Sequence, residues 1–174
     1  MKKLMLFSLI AVAVSISANA QEAKNEAKVN LLGLIIGLPD ISYERLLTDK
    51  MGIGLTLGTG FKNGKHYRDD YRYVVLPYYR YYLGNKYASG VFLEAHVSVI
   101  SAKKNLKDEL KGQEKFESYY GVGVAIGVKL FNKKGFLVEG YAGLGQQLSV
   151  DNEDMRHKSQ HPYPRIGVSV GKRF

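Results

Sequence analysis

The sequence has no cysteine and no tryptophan, and only four prolines among 174 residues. Without cysteine it can form no disulfide, thiolate metal site, cysteine nucleophile or acylated N-terminal cysteine. Long apolar runs are also missing: beyond residue 20 the longest is Leu31–Pro39, well short of the ~20 residues of a membrane-spanning helix. Glycine (19) and tyrosine (13) are plentiful, and the mean hydropathy is −0.18 although 45% of residues are hydrophobic. This composition favours a β protein and excludes a disordered chain.

The first twenty residues have the features of a secretory signal peptide. Lys2 and Lys3 precede the apolar run Leu4–Val14, and Ala18 and Ala20 form an A-x-A cleavage site. We therefore expect an exported protein whose mature chain starts at Gln21. A short polar leader is predicted at Gln21–Lys28, followed by one domain over residues 29–174.

The mature chain divides into eight segments with the length and character of β-strands. They are Val29–Gly37, Asp40–Leu47, Met51–Gly60, Tyr71–Leu83, Val91–Ser101, Ser118–Leu130, Phe136–Ser149 and Tyr163–Phe174. In the third segment Met51, Ile53, Leu55 and Leu57 alternate with glycine or threonine, and the sixth and eighth segments repeat the pattern. Such a period of two predicts strands rather than helices.

The connections between these segments alternate in length. The short ones are Thr48–Lys50, Gly84–Gly90 and Phe131–Gly135, and the long ones are Phe61–Asp70, Ala102–Glu117 and Val150–Pro162. Only the first connection at the long-loop end, around Leu38 and Pro39, is tight. Short turns at one end and long loops at the other are typical of an outer-membrane barrel. The predicted fold class is therefore all-β: an eight-stranded, antiparallel, up-and-down transmembrane barrel.

The apolar face of each segment is expected to point outward, into lipid. It carries four or five large side chains per strand, which is more than the interior of an eight-stranded barrel can hold. The opposite face is rich in glycine, which has a poor strand propensity. Inside a narrow barrel, glycines leave room for long neighbouring side chains. Eight tyrosines lie between Tyr67 and Tyr87, and those at strand ends suit the aromatic girdles of a membrane protein.

The inward face then receives a polar set. Its members are Glu44, Arg72, Tyr78, Arg80, Tyr82, Glu94, His96, Ser98, Lys129, Glu139, Tyr141, Gln147, Arg165, Ser169 and Arg173. Counting along the strands puts Glu44, Arg80, Glu94 and Glu139 at similar depth, with Lys129 and Arg173 slightly nearer the periplasmic end. Charges in so confined a space must be paired. We predict a network of these six residues, centred on Arg80, that closes the lumen; a proton relay or acid–base pair is the alternative use of its carboxylates.

No motif in the sequence supports catalysis, a cofactor or a metal site. The glycine run from Gly121 to Gly127 lies within a strand, with no helix after it, and so does not predict a dinucleotide site. His157 and His161 are four residues apart near acidic residues, but Pro162 and Pro164 disfavour a helix that would present them together to zinc. We expect no enzyme activity, no cofactor and no metal.

The predicted external loops are rich in basic residues, which are Lys62, Lys65, Arg68, Lys103, Lys104, Lys107, Lys111, Arg156 and Lys158. In an outer membrane they are placed to contact glycolipid phosphates; an ordinary solvated loop surface is the alternative. Their scatter over several loops of an exported protein argues against nucleic acid as a partner. The expected partners are outer-membrane lipid and the barrel-assembly machinery, and the protein is expected to be a monomer.

Two segments resemble outer-membrane proteins. The last ten residues, RIGVSVGKRF, resemble a terminal barrel strand with alternating Ile166, Val168 and Val170 before Phe174, although Lys172 stands where an apolar residue is common. The segment Ile41–Leu47, ISYERLL, is similar to a family of uncharacterised small outer-membrane barrels of OmpA/OmpX type. The resemblance implies an outer-membrane location and recognition of Phe174 by the assembly machinery, and it implies no activity.

The leading hypothesis is thus a plugged outer-membrane barrel with an envelope-structural or surface-interaction role. Three alternatives stay open at this point. One is a narrow pore for small solutes, and another is a lipid-modifying enzyme that uses His66, His157 or His161 with a neighbouring serine. The third is a soluble, secreted barrel like a lipocalin, with its apolar face inward.

Overall fold

The computed structural model describes residues 23–60, 71–103, 116–148 and 162–174. Eight strands form a closed barrel in which every strand pairs antiparallel with its neighbours in sequence, and β1 pairs with β8 to close the ring. The strands are β1 Asn25–Asn30, β2 Asp40–Leu46, β3 Met51–Gly58, β4 Tyr71–Tyr82, β5 Gly90–Lys103, β6 Phe116–Phe131, β7 Phe136–Leu148 and β8 Pro162–Arg173. A short helix, α1 (Leu31–Ile35), lies between β1 and β2. The predicted eight-stranded antiparallel barrel is confirmed.

No helix in the described part of the chain is long and apolar enough to cross a membrane.

The first strand differs from the prediction. Strand β1 covers Asn25–Asn30, mostly within the segment expected to be a leader, and most of the predicted strand Val29–Gly37 is helix α1 and its exit. The reason is Asn30, whose side chain accepts a hydrogen bond from the Gly33 N–H at 3.1 Å and so caps the helix. The apolar run that follows does not alternate, which suits a helical turn better than a strand. The other seven strands end within two residues of their predicted ends.

The two ends of the barrel differ as predicted, except that the first connection is not tight: it spans residues 31–39 and contains helix α1. The turns at residues 47–50, 83–89 and 132–135 lie at one end together with Asn25 and the C-terminal Phe174. Connections at residues 59–70, 104–115 and 149–161 join strands at the other end. Most of these long connections lie outside the described residues.

The outer part of β8 extends beyond its partner β1. Their pairing stops at Asn30 and Ser169, and the next inter-strand donor, the Val168 N–H, bonds to the Asn30 side chain at 3.3 Å. Alternate residues of β8 direct their N–H groups toward β1, as Phe174 does toward Asn25. Pro162 and Pro164 are even-numbered like Phe174, so at both positions an N–H would point toward the edge that β1 does not pair with. Proline has no N–H, and therefore no donor is left unpaired there. Helix α1 packs against this part of β8.

Glycines on one strand accommodate large inward side chains on the next. Directly opposed pairs include Gly54 with Tyr78, Gly127 with Phe92, Gly123 with His96, Gly145 with Tyr163 and Gly167 with Tyr141. In each pair, a Cβ added to the glycine would overlap the opposing ring. Each of these glycines therefore leaves the space that the opposing ring occupies, as predicted for the inward glycines.

Candidate functional site in the barrel interior

The middle of the lumen is filled by charged side chains from seven strands. We call this set the internal ion-pair network, and its members are Glu26, Lys28, Glu44, Arg80, Glu94, Lys129, Glu139, Arg165 and Arg173. Each is at most 7% exposed. The strand period of two directs them inward, because their immediate neighbours in sequence face the outside of the barrel. Four carboxylates face five cationic groups, so the network is close to electrically balanced.

Arg80 is at the centre, as predicted from depth along the strands. Its Nε donates to Glu94 at 2.8 Å, and its Nη1 donates to Glu139 at 2.7 Å and to Glu44 at 3.2 Å. The guanidinium carbon also lies 4.2 Å from the centre of the Phe92 ring and 4.6 Å from that of Tyr78. Carboxylates therefore accept hydrogen bonds from the guanidinium N–H groups, and aromatic rings form cation–π contacts with it. Both kinds of contact offset the cost of burying the charge of Arg80.

A second group of contacts lies toward the end with the termini. Lys129 donates to Glu26 at 2.6 Å and also contacts the Tyr82 hydroxyl, which in turn donates to Glu44. Arg173 donates two hydrogen bonds to one oxygen of Glu26, at 2.8 and 2.7 Å. The predicted residues Lys129 and Arg173 thus join the network through Glu26.

Arg173 also closes the barrel at this end. Its guanidinium donates to the backbone carbonyls of Tyr87 and Ala88, at 3.1 and 2.8 Å, in the turn between β4 and β5. Phe174 pairs with Asn25 through two backbone hydrogen bonds, of 2.9 and 2.8 Å. Arg173 therefore holds the turn between β4 and β5, and Phe174 extends the pairing of β1 with β8.

Arg165 extends the network toward the long-loop end. It donates to Glu94 at 3.1 Å, to the Tyr141 hydroxyl at 3.2 Å and to Thr56 at 3.4 Å. Glu94 therefore lies between Arg80 and Arg165. A continuous chain of polar contacts runs from the turn at Ala88, through Arg173 and Arg80, to Arg165.

The structure adds three residues to the predicted network: Glu26, Lys28 and Arg165. Lys28 donates to Glu44 at 2.5 Å and to Glu139 at 3.2 Å. Glu26 and Lys28 lie in the expected leader and are therefore absent from the predicted network, although Glu26, Lys28 and Asn30 show the period of two in the sequence. The sequence predicts that Arg165 faces inward but does not place it in the network.

The rest of the predicted inward set behaves as follows. Buried in the lumen are Tyr78, Tyr82, His96, Ser98, Tyr141 and Ser169. Gln147 is only partly buried, and Arg72 is exposed. Arg72 follows Tyr71 at the outer end of β4, where the pairing with β5 shifts register, so it lies above the closed part of the lumen.

Three acid–base groups lie together on one strand inside the lumen. Glu94, His96 and Ser98 follow one another on the inward face of β5, and the His96 Nδ1 lies 3.5 Å from Glu94. Ser98, however, bonds to the Tyr163 hydroxyl at 2.9 Å, and neither ring nitrogen of His96 has a hydrogen-bond partner among the described residues. All three side chains are buried.

The other candidate residues named from the sequence lie elsewhere. Within the described ranges no group of three or more His, Asp or Glu residues is placed to hold a metal ion. The predicted cleavage residues Ala18 and Ala20, the loop histidines His66, His157 and His161, and all the basic loop residues named above except Lys103 lie outside the described residues.

Comparison with known protein families identifies the family of this chain. A family model described as a protein of unknown function (DUF3575) matches residues 5–163. The chain belongs to the DUF3575 family. No curated protein matches the sequence, and the description of the family names no activity.

A solved barrel structure shares the fold. The N-terminal β-barrel domain of Pseudomonas aeruginosa OprF superposes with a TM-score of 0.54 at 14% identity, over 87% of this chain and 98% of that domain. Neisserial surface protein A (NspA) gives a TM-score of 0.49 at 17% identity, over 87% and 95% of the two chains. The resemblance to small eight-stranded outer-membrane barrels is confirmed at the level of fold.

Proposed function

We propose that this protein is an integral outer-membrane barrel with a closed lumen and a non-enzymatic role in the cell envelope. The observation that carries the proposal is the internal ion-pair network around Arg80, which occupies the space through which a solute would pass along the barrel axis. A hydrated channel would need at least part of the inward polar set to face water, whereas Arg80, Glu44, Glu94 and Lys129 are each at most 2% exposed.

The outward face supports a lipid environment. Large apolar side chains on every strand from β2 to β8 are more than a third exposed, among them Ile41, Ile53, Tyr79, Leu93, Val124, Leu144 and Ile166. A continuous apolar belt of this kind is far larger than the patches that soluble monomers expose. The soluble alternative, with the apolar face inward, does not fit this distribution.

Exposed tyrosines lie near both edges of the belt. Tyr79 and Tyr81 approach the end with the short turns, and Tyr73 and Tyr120 approach the end with the long connections. Tyrosine favours the boundary between the hydrocarbon and water, since its ring is apolar and its hydroxyl needs a polar partner. Their positions support a belt that crosses the whole hydrocarbon layer.

The residues of the lumen and the basic segments support the proposed envelope role. The lumen holds no accessible acid–base arrangement among the described residues, and the segments that carry most of the basic residues connect strands at the end opposite Phe174. We propose that these loops contact phosphates of the outer-leaflet glycolipid, that the barrel acts as a monomer, and that the assembly machinery recognises the strand ending in Phe174.

Conductance across a planar lipid bilayer tests the closed lumen. We expect the folded protein to insert without steady single-channel steps, because the ion pairs at Arg80 fill the cross-section. Insertion is monitored in parallel by the shift in gel mobility that a folded barrel shows when it is not heated. Reproducible unit steps from protein that passes this check would contradict the proposal and favour the narrow pore.

A further inference from the structure

The outward wall contains a groove that the closed lumen does not explain. It has a volume of about 610 Å³ and lies across strands β2 to β5. Two rows of outward side chains line it: Arg45, Ile53, Tyr79 and Ala95 in one, and Tyr43, Leu55, Pro77 and Val97 in the other. The floor is low at Ala95 and Pro77, which carry only a methyl group and a compact ring, while larger side chains stand on both sides.

Arg45 places a positive charge at the edge of this apolar groove. It is exposed and lies two residues before the turn that begins at Leu47, at the end with the termini. A long cationic side chain at the margin of an apolar belt can reach the interface, where lipid phosphates are available to it. Among the described residues, no carboxylate forms an ion pair with Arg45.

The guanidinium of Arg45 is held in place by its neighbours. Its Nη1 donates to the Asn25 Oδ1 at 2.7 Å, and the Tyr43 hydroxyl donates to the same oxygen at 2.7 Å. Asn25 is itself fixed by its two backbone hydrogen bonds to Phe174. Because an arginine has five N–H donors, one bond to Asn25 orients the group and leaves other donors for a ligand.

We propose that this groove is a binding site for a glycerophospholipid, with the phosphate on Arg45 and an acyl chain over Pro77 and Ala95. Arginine binds phosphate through two parallel hydrogen bonds more readily than any other side chain. The site lies at the short-turn end, which in the proposed function faces the periplasm, so the occupant comes from the inner leaflet. The inference rests on the proposed function, since it needs the outward face to lie in lipid.

Native mass spectrometry of the folded protein in detergent micelles tests the site. With added phosphatidylglycerol we expect one lipid to remain bound at low molar excess. Arg45→Gln should weaken this binding about tenfold, the effect of losing a charge-assisted hydrogen bond. The matched control is Lys172→Gln, which removes another outward cation near the same end, one that lies 6.0 Å from the centre of the Phe136 ring. It should leave the bound fraction unchanged.

A second pair of variants tests the groove itself. Ala95→Phe fills the floor and should abolish the retained lipid with Arg45 intact, whereas Ala142→Phe, at an outward position on β7 away from the groove, should not. Equal binding by the wild type, Arg45→Gln and Ala95→Phe would overturn the site. Retention of an outer-leaflet glycolipid in place of phosphatidylglycerol would overturn the assigned occupant.

The two proposals fail in different ways. Failure of the wild type to insert into lipid vesicles would contradict the membrane location. Normal insertion with lipid binding that does not depend on Arg45 would overturn only the phospholipid site. Each variant is therefore checked for insertion and for the mobility shift on heating before its lipid binding is measured.

Discussion

Replacing Arg80 with methionine is expected to lower the free energy of unfolding by about 3–5 kcal/mol. Methionine fills much of the same volume but carries no charge. The substitution leaves Glu44, Glu94 and Glu139 buried around an uncharged side chain, and each of them loses a hydrogen bond of 2.7–3.2 Å. Their remaining partners do not replace the central charge, since Lys28 and Lys129 already bond to Glu44, Glu139 or Glu26.

Urea-induced unfolding of the barrel in lipid vesicles measures this effect. Arg80→Lys should fall between the wild type and Arg80→Met, because an ammonium restores the charge without the fork of donors that reaches all three carboxylates. Arg72→Met is the matched control at an exposed arginine on the same strand, and we expect it to change the free energy of unfolding by less than about 1 kcal/mol. Wild-type stability in Arg80→Met would show that the network does not hold the barrel together.

Gly127→Ala is expected to destabilise the barrel by about 1–3 kcal/mol, although it adds a single methyl group. The new Cβ would lie 2.6 Å from the Gly140 carbonyl oxygen and 2.8 Å from a ring carbon of Phe92. The carbonyl belongs to the neighbouring strand, so the contact is not relieved by a side-chain rotation. The Phe92 ring is fixed as well, since it is fully buried and packs on Arg80 and Tyr82.

The control for this prediction is Gly140→Ala on the adjacent strand. Gly140 faces outward, and a Cβ there meets nothing within 4 Å. The alanine removes conformational freedom from the unfolded chain and should be neutral or stabilising, by about 0.4–1 kcal/mol. The two substitutions thus have opposite expected signs. Equal effects in urea unfolding would mean that glycine acts only through strand propensity and not as space for inward rings.

The sequence predicts most of this architecture because successive residues of a strand point to opposite faces of the sheet. Seven strands and their two faces follow from that period of two. The outward direction of the apolar face, and with it the inward position of Arg80 and its three glutamates, follows from the bulk of that face and the glycines opposite it. The first strand does not follow from the period, because a short apolar run such as the one after Asn30 is compatible with a buried strand as well as with a helix. The hydrogen bond that the Gly33 N–H donates to the Asn30 side chain caps the helix there.

The composition of the network was harder to predict than its location. Depth counted along each strand ignores the tilt of strands in a barrel, which shifts the register from one strand to the next. Arg165 and Glu94 come from strands that are not adjacent, yet they meet across the lumen at 3.1 Å. Lys28 likewise reaches Glu139 only because β1 closes on β8. Such contacts depend on closure of the barrel, and no local sequence pattern predicts them.

The orientation of the wall is the central claim, and a sequence without cysteine allows it to be measured directly. Single cysteines are introduced at Val124 and Ile126 on β6, and at Asp49 in a turn, and each is labelled with a nitroxide in the protein reconstituted into lipid vesicles. We predict frequent collisions with oxygen and rare collisions with a water-soluble nickel chelate at positions 124 and 126, and the reverse at position 49. Access of the nickel chelate to positions 124 and 126 as free as to position 49 would show that the apolar face does not lie in lipid, and would contradict the account.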